Sequence, residues 1–136
     1  MKKLIITIAL LFNATFTFSQ VFQVKVRLDG SCVTPDQSTY YVVKVDVENT
    51  QTSTIVETET STTLTTNYGT PVDIIVYLDQ FCTADNTKKY KIHVEAAKVY
   101  LSPPSIICSQ KLTYGELKSC DDFWNTQIPV GTIILN

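Results

Sequence analysis

Apolar and polar residues alternate with a period of two along most of the chain, which is the pattern of half-buried β-strands. The pattern is clear over residues 22–28, directly before a turn at Asp29-Gly30. A second segment covers residues 41–48 and is rich in valine, which packs well on a pleated surface. Residues 72–79 are the most apolar alternating segment, so we expect them to form a central strand.

The second half of the chain contains further strand candidates. Residues 90–95 alternate, and the apolar phase then switches at the alanine pair 96–97, which indicates a bulge or bend. A short helix over residues 94–100 is the alternative. Additional short strands are predicted over residues 106–107, 112–117 and 132–135.

The region between the second strand and the most apolar one is dominated by threonine. Nine of the seventeen residues 50–66 are threonine, with Glu57 and Glu59 interleaved. Threonine favours extended backbone without demanding burial. We therefore predict one or two edge strands that charge protects from sheet-to-sheet association. A flat hydroxyl-bearing strand that contacts ice or crystalline polysaccharide is the alternative, but the threonine spacing is too irregular to favour it.

About seven strands, with turns roughly every ten residues, predict an all-β fold of two packed antiparallel sheets, immunoglobulin-like in outline. Closure into a barrel is the alternative. The spacing of cysteines around a central tryptophan that marks antibody domains is absent, because Trp124 follows all four cysteines. The pattern predicts an architecture and identifies no family.

Residues 1–19 have the layout of a removable export signal. Two lysines precede an apolar run over residues 4–12, and Thr17 and Ser19 place small residues before the expected cut. The run is well short of the ~20 residues that a membrane-spanning helix needs. We expect a mature chain of residues 20–136 that forms a single β-sandwich domain, has no integral membrane segment, and is periplasmic or secreted.

All four cysteines fall in the expected mature chain: Cys32, Cys82, Cys108 and Cys120. An even number in an oxidising compartment predicts two disulfides, and three pairings are open. We favour Cys32 with Cys82, which joins two predicted strand ends, and Cys108 with Cys120, which closes a short loop. No C-x-x-C pair is present and His93 is the only histidine, so neither a metal site nor a redox centre is expected.

Charge argues against one class of partner. Loss of residues 1–19 leaves nine basic and thirteen acidic side chains, a formal charge of −4. A nucleic-acid binder usually concentrates positive charge on one face. We expect no nucleic-acid partner and no cofactor.

The candidate ligand-binding residues directly follow the last cysteine: Asp121, Asp122, Phe123 and Trp124. An exposed tryptophan can cover the apolar face of a pyranose while carboxylates accept hydrogen bonds from its hydroxyls. The alternative is that the two rings close one end of the core and the aspartates are solvated. It is favoured because lone large aromatic side chains in a small domain are usually buried.

Catalysis has little support in the sequence. His93 lies mid-strand on a polar face, which is typical of a surface histidine, since a general base needs a positioned nucleophile and an orienting partner. Glu116 with Asp121 or Asp122 would make a glycosidase pair, but such pairs arise often by chance. We find no nucleophile elbow, phosphate-binding loop or zincin helix.

We therefore expect an exported noncatalytic module that binds a protein, glycan or envelope component through loops or an edge strand. The main alternative is a secreted inhibitor or accessory protein of a hydrolase, acting through the loop from Cys108 to Cys120. A small hydrolase is the third hypothesis.

Overall fold

The computed structural model describes residues 22–65, 71–78, 89–119 and 127–136. Within these ranges the chain forms seven strands and no helix: β1 Phe22–Asp29, β2 Thr39–Asn49, β3 Thr54–Leu64, β4 Val72–Leu78, β5 Tyr90–Tyr100, β6 Ile106–Lys118 and β7 Ile128–Ile134. A three-stranded sheet has the order β4-β1-β7, and a four-stranded sheet has the order β3-β2-β5-β6. Every pairing is antiparallel except that of β1 with β7.

The predicted two-sheet sandwich is confirmed, and its core lies between the sheets. In β1 and β2 every second residue is buried, as their alternating sequences require. The buried side chains of both sheets form one apolar cluster, in which each fully buried aliphatic side chain contributes about 1.5–3 kcal/mol. The strand order differs from the immunoglobulin constant arrangement, in which the first strand pairs with the second.

The prediction that residues 72–79 form a central strand is wrong. They form β4, which lies at the edge of the three-stranded sheet, and β1 is the central strand. All core-facing residues of β4 are apolar, and Ile75 adds a further apolar side chain on the outer face opposite Lys25. High apolar content therefore reflected one buried face plus one extra isoleucine, and it carried no information about the number of neighbouring strands.

The threonine-rich region forms one strand, β3, and it is an edge strand as predicted. Glu57 and Glu59 pair with the core-facing residues Val47 and Val45, so both glutamates lie on the inner side of the sheet. Inward-pointing charge on an edge strand disfavours pairing with another chain.

β5 is a continuous strand, and the helix suggested for residues 94–100 does not form. Its register with β2 is unbroken, and the nearby irregularity lies on the β6 side, between Lys98 and Val99. Ala97 and Val99 lie on the outer face, yet both are almost completely buried. This burial explains the apparent change of apolar phase without a bend at the alanines.

The short strands predicted near the C-terminus belong to two longer strands, β6 and β7. Residues 106–107 and 112–117 belong to one strand of 13 residues, and residues 132–134 belong to β7, which begins at Ile128. The long β6 forms the second edge of the four-stranded sheet.

The favoured disulfide pairings are wrong, because Cys32 is bonded to Cys108. Cys108 lies near the start of the extended strand β6, ten residues before Lys118. At about 3.3 Å per residue those residues span roughly 33 Å, and two more cannot bring Cys120 back into bonding distance. Cys82 follows β4, which ends at the opposite end of the sandwich from Cys32 because β4 is antiparallel to β1.

The connection between β1 and β2 is also held by a buried lysine. Lys98 Nζ donates hydrogen bonds to the carbonyl oxygen and the hydroxyl of Thr34, over 3.1 and 3.0 Å. The Tyr41 hydroxyl donates to the same carbonyl over 3.4 Å, and burial raises the pKa of Tyr41. The disulfide and Lys98 together fasten the end of β1 to the four-stranded sheet.

Candidate functional site

The residues proposed as a sugar site cannot be placed geometrically. Asp121, Asp122, Phe123 and Trp124 lie outside the described residues, in the connection between β6 and β7. Their role stays a prediction. The surfaces that the structure does describe offer two other candidate regions, both on the outer face of the four-stranded sheet.

The first region is a group of paired polar residues in the middle of this face, which we call the polar centre. Strand register aligns its side chains in rows across all four strands. Its members are Lys44, Asp46, Glu48, Thr58, His93, Glu95, Lys111 and Thr113. Several of them surround a depression of about 260 Å³.

Asp46 is the most heavily bonded carboxylate of the polar centre. It accepts hydrogen bonds from Thr58 Oγ1 over 2.6 Å and from Lys44 Nζ over 2.8 Å. Burial alone raises the pKa of Asp46, but these bonds, together with the positive charge of Lys44, outweigh it and hold the pKa below 3.8. The same carboxylate raises the pKa of Lys44.

This pairing predicts a stability difference that depends on pH. Because the pKa of Asp46 is lower in the folded than in the unfolded chain, its contribution is complete well above pH 3.8 and is lost as the pH falls through the folded value. We expect Asp46→Asn to destabilise the protein near neutral pH. The difference from wild type should shrink as the pH falls below 3.8 and through the lower pKa of the folded chain, as measured by denaturant unfolding across the pH range.

Thr58→Val is the matched control for this prediction, because it removes one hydrogen bond but keeps the titrating carboxylate. It should show a smaller pH-dependent difference than Asp46→Asn. A difference between Asp46→Asn and wild type that is the same at pH 3 and pH 7 would contradict the assignment.

His93 has two side-chain partners that its neighbours in the sequence did not indicate. Its Nε2 lies 2.6 Å from Glu48 Oε2, and its Nδ1 lies 3.1 Å from Thr113 Oγ1. His93 does lie on the outer face, as expected of a surface histidine, but its ring is partly buried between residues of β2 and β6. These partners are 45 and 20 residues away in sequence, so the local pattern gave no sign of them.

The order of carboxylate, imidazole and hydroxyl resembles that of a nucleophilic triad. A triad also requires hydrogen-bond donors aimed at the developing oxyanion. Glu48, His93 and Thr113 lie within strands of an antiparallel sheet, where backbone N–H groups point along the sheet toward neighbouring strands and not outward. The geometry of the described face therefore suits hydrogen bonding better than acyl transfer.

The second region is apolar and lies next to the polar centre, where β3 and β5 end and β2 and β6 begin. We call it the apolar end, and it consists of Tyr40, Leu64, Val99, Leu101 and Ile106. Register places Leu64, Tyr40, Val99 and Ile106 in one row across the sheet. Tyr40, Leu64 and Leu101 line a cavity of about 280 Å³. Ile106 is 67% exposed, the highest value among the large hydrophobic residues of the described chain.

The apolar end continues into β6, which pairs with β5 on one side and with no strand of the described residues on the other. An edge strand presents a row of backbone N–H and C=O groups that can pair with another chain. β3 carries Glu57 and Glu59 on its inner side, whereas β6 packs Cys108, Leu112 and Tyr114 against the core. Between Cys108 and Tyr114, the inner side of β6 therefore carries no charged residue of the kind that protects the β3 edge.

Comparison with known proteins found no matching family model, no matching curated protein and no matching solved structure. No helix in the described ranges is both long and apolar enough to cross a membrane. In the same ranges, no group of three or more histidine, cysteine or acidic side chains could hold a metal ion. The Cys32–Cys108 disulfide fits a protein located outside the cytosol.

Proposed function

We propose that the protein is an exported, noncatalytic module that binds another protein by adding an extended segment of that partner to the edge of the four-stranded sheet at the start of β6. The observation that carries the proposal is the position of Ile106 and Ile107, two exposed isoleucines at the start of an edge strand and beside the apolar end. In strand addition the backbone supplies affinity and the alternate side chains supply specificity.

The surface beside β6 also defines the chemistry of the partner. A strand added next to Ile106 would extend the row that already contains Leu64, Tyr40 and Val99, so an apolar partner side chain is favoured there. Farther along β6, Lys111 forms an ion pair with Glu95 and is the more exposed of the two side chains. An acidic partner side chain is favoured at that point.

Export is supported by the signal-like residues 1–19 and by the disulfide, which together favour a periplasmic or secreted location. The inhibitor alternative relied on a loop from Cys108 to Cys120, and the described part of that segment does not support such a loop. Residues 106–118 form a strand, and Cys108 is bonded to Cys32, so the segment after Cys108 is not a loop closed by its own disulfide.

Substitution of Ile106 by serine tests the proposal. The immobilised mature chain would be exposed to envelope and medium fractions of the source organism, and bound proteins would be quantified by mass spectrometry. A partner enriched by wild type should be reduced about 10-fold or more by Ile106→Ser, since burial of one isoleucine contributes about 1.5–3 kcal/mol.

Ile55→Ser is the matched control, because Ile55 is 52% exposed on the opposite edge strand, β3. It should capture the partner as well as wild type does. Equal capture by Ile106→Ser and wild type would remove the β6 edge as the binding site. Turnover of an ester or glycoside substrate that disappears in His93→Ala would instead show that the polar centre is an active site.

A further inference from the structure

The outer face of the three-stranded sheet carries two adjacent cations on its central strand. Lys25 and Arg27 both point outward from β1, and Arg27 is the single arginine of the chain. Register places Arg27 between Asp73 of β4 and Thr132 of β7.

These two cations share one carboxylate. Asp73 Oδ2 lies 3.0 Å from Lys25 Nζ, and Asp73 Oδ1 lies 3.8 Å from Arg27 Nη1. The second distance is too long for a hydrogen bond. Asp29, the next outward residue of β1, accepts a hydrogen bond from the Gly30 N–H over 2.7 Å and makes no ion pair with Arg27.

The donors of Arg27 are consequently available. A guanidinium has five N–H donors in a planar fork that matches a carboxylate, and within the described residues none of them makes a hydrogen bond. The polar centre on the other sheet differs, because its cations Lys44 and Lys111 lie 2.8 and 3.1 Å from their own carboxylates.

The surroundings of Arg27 form a shallow cavity of about 230 Å³. It is lined by Lys25, Arg27, Asp73, Pro129, Gly131 and Thr132. A bulge in β7 lies at this point, where the register with β1 shifts between Lys25 and Arg27. Bulges are frequent beside binding sites because they re-aim neighbouring side chains.

An aromatic ring lies on the same face. Tyr77 is 57% exposed and pairs with Gln23, one row from Lys25 and about 7 Å along the strand. Gln23 Oε1 accepts a hydrogen bond from Gln127 Nε2 over 3.0 Å, so the amide of Gln23, beside the ring, is linked to a second amide on the β7 side. Rings and amides of this kind contact sugar faces and hydroxyl groups.

We infer that this face binds an acidic saccharide, with a uronate carboxylate held by Arg27 and Lys25 and a neighbouring sugar ring covering Tyr77. The carboxylate accepts the paired N–H donors of the guanidinium fork, and Thr132 supplies a hydroxyl at the cavity wall. The site is separate from the β6 edge and does not depend on the protein partner proposed above.

Titration calorimetry with the mature wild-type chain tests this inference, with oligogalacturonate as the probe and a neutral oligosaccharide of equal length as the comparison. We expect binding of the acidic oligosaccharide alone, weakened by added salt. Arg27→Gln should weaken binding about 10-fold or more. Arg27→Lys keeps the charge but loses the fork, so it should fall between Arg27→Gln and wild type.

Two further variants test the contribution of the Tyr77 ring and the contribution of positive charge in general. Tyr77→Ala should weaken binding of the oligosaccharide but leave binding of monomeric galacturonate unchanged. Lys111→Gln removes one positive charge from the other sheet and should bind as wild type does. Absence of binding, equal binding of the neutral oligosaccharide, or equal loss in Lys111→Gln and Arg27→Gln would overturn the inference.

Discussion

Replacement of Cys32 or Cys108 by serine should destabilise the folded protein by about 4.5 kcal/mol. The bridge joins cysteines 76 residues apart, and the chain-entropy account assigns about 4.5 kcal/mol to a loop of that length. The bridge also connects the end of β1 in one sheet to β6 in the other, so no single hairpin replaces it. Denaturant unfolding of the two variants under non-reducing conditions measures the effect.

The double variant is the control for this prediction. Since either single substitution already breaks the bridge, Cys32→Ser with Cys108→Ser should be about as unstable as each single variant. The hydrogen bonds between Lys98 and Thr34 remain in all three, so the connection between β1 and β2 should stay folded in the absence of denaturant. Full stability in the single variants would show that the bridge does not form in solution.

Peptide mapping without reduction tests the connectivity of all four cysteines. The Cys32–Cys108 bond leaves Cys82 and Cys120, which lie outside the described residues. They follow β4 and β6, whose last residues pair with Phe22 and Tyr90 at the same end of the sandwich. If the chain has two disulfides, as its cysteine count predicts, the second joins Cys82 to Cys120.

Local alternation was enough to predict most of the strands. The segment expected at residues 22–28 is β1, Phe22–Asp29, and the segment expected at residues 41–48 lies within β2, Thr39–Asn49. The period of two is a property of neighbouring residues, and burial of one face imposes it directly on the sequence. The two-sheet architecture follows because each strand has one apolar face to cover.

Properties that depend on distant residues were not accessible in this way. The edge position of β4, the bond between Cys32 and Cys108, and the pairing of His93 with Glu48 each depend on which strands become neighbours. The alternation of residues within one sequence does not determine which strands become neighbours. Spacing therefore led to the shortest cysteine loop, which the extended geometry of β6 forbids.

Part of the apolar end could have been recognised in the sequence as an apolar cluster at a turn, although the alternating pattern did not reveal it. Leu101, Ile106 and Ile107 lie on either side of a turn with two prolines, Pro103 and Pro104. Apolar residues at a turn are unusual because turns lie at the surface. Such a cluster beside an edge strand is a reason to expect a contact surface, whereas the candidate residues Asp121 to Trp124 were selected for their side-chain chemistry alone.

Substitution of Gly30 by alanine should destabilise the protein by at least about 2 kcal/mol. Gly30 has φ +114°, a region that costs residues with a side chain about 1–3 kcal/mol. A Cβ at this position would overlap the carbonyl oxygen of Leu135. That carbonyl accepts a hydrogen bond from the Cys32 N–H over 2.9 Å. The Leu135 N–H donates to the backbone carbonyl oxygen of Asp29 over 2.8 Å. The obstruction is anchored backbone, so it cannot move aside without breaking both bonds.

Gly115→Ala is the matched control, because Gly115 has no positive φ and an added Cβ there would meet no atom within 4 Å. Its free energy of unfolding should stay within about 0.5 kcal/mol of wild type. Loss of stability in Gly30→Ala alone would show that residues 29–32 and Leu135 hold each other in place at the end of β1, next to the Cys32–Cys108 bridge. Equal stability of the two glycine variants would mean that the C-terminal residues are not fixed against this turn in solution.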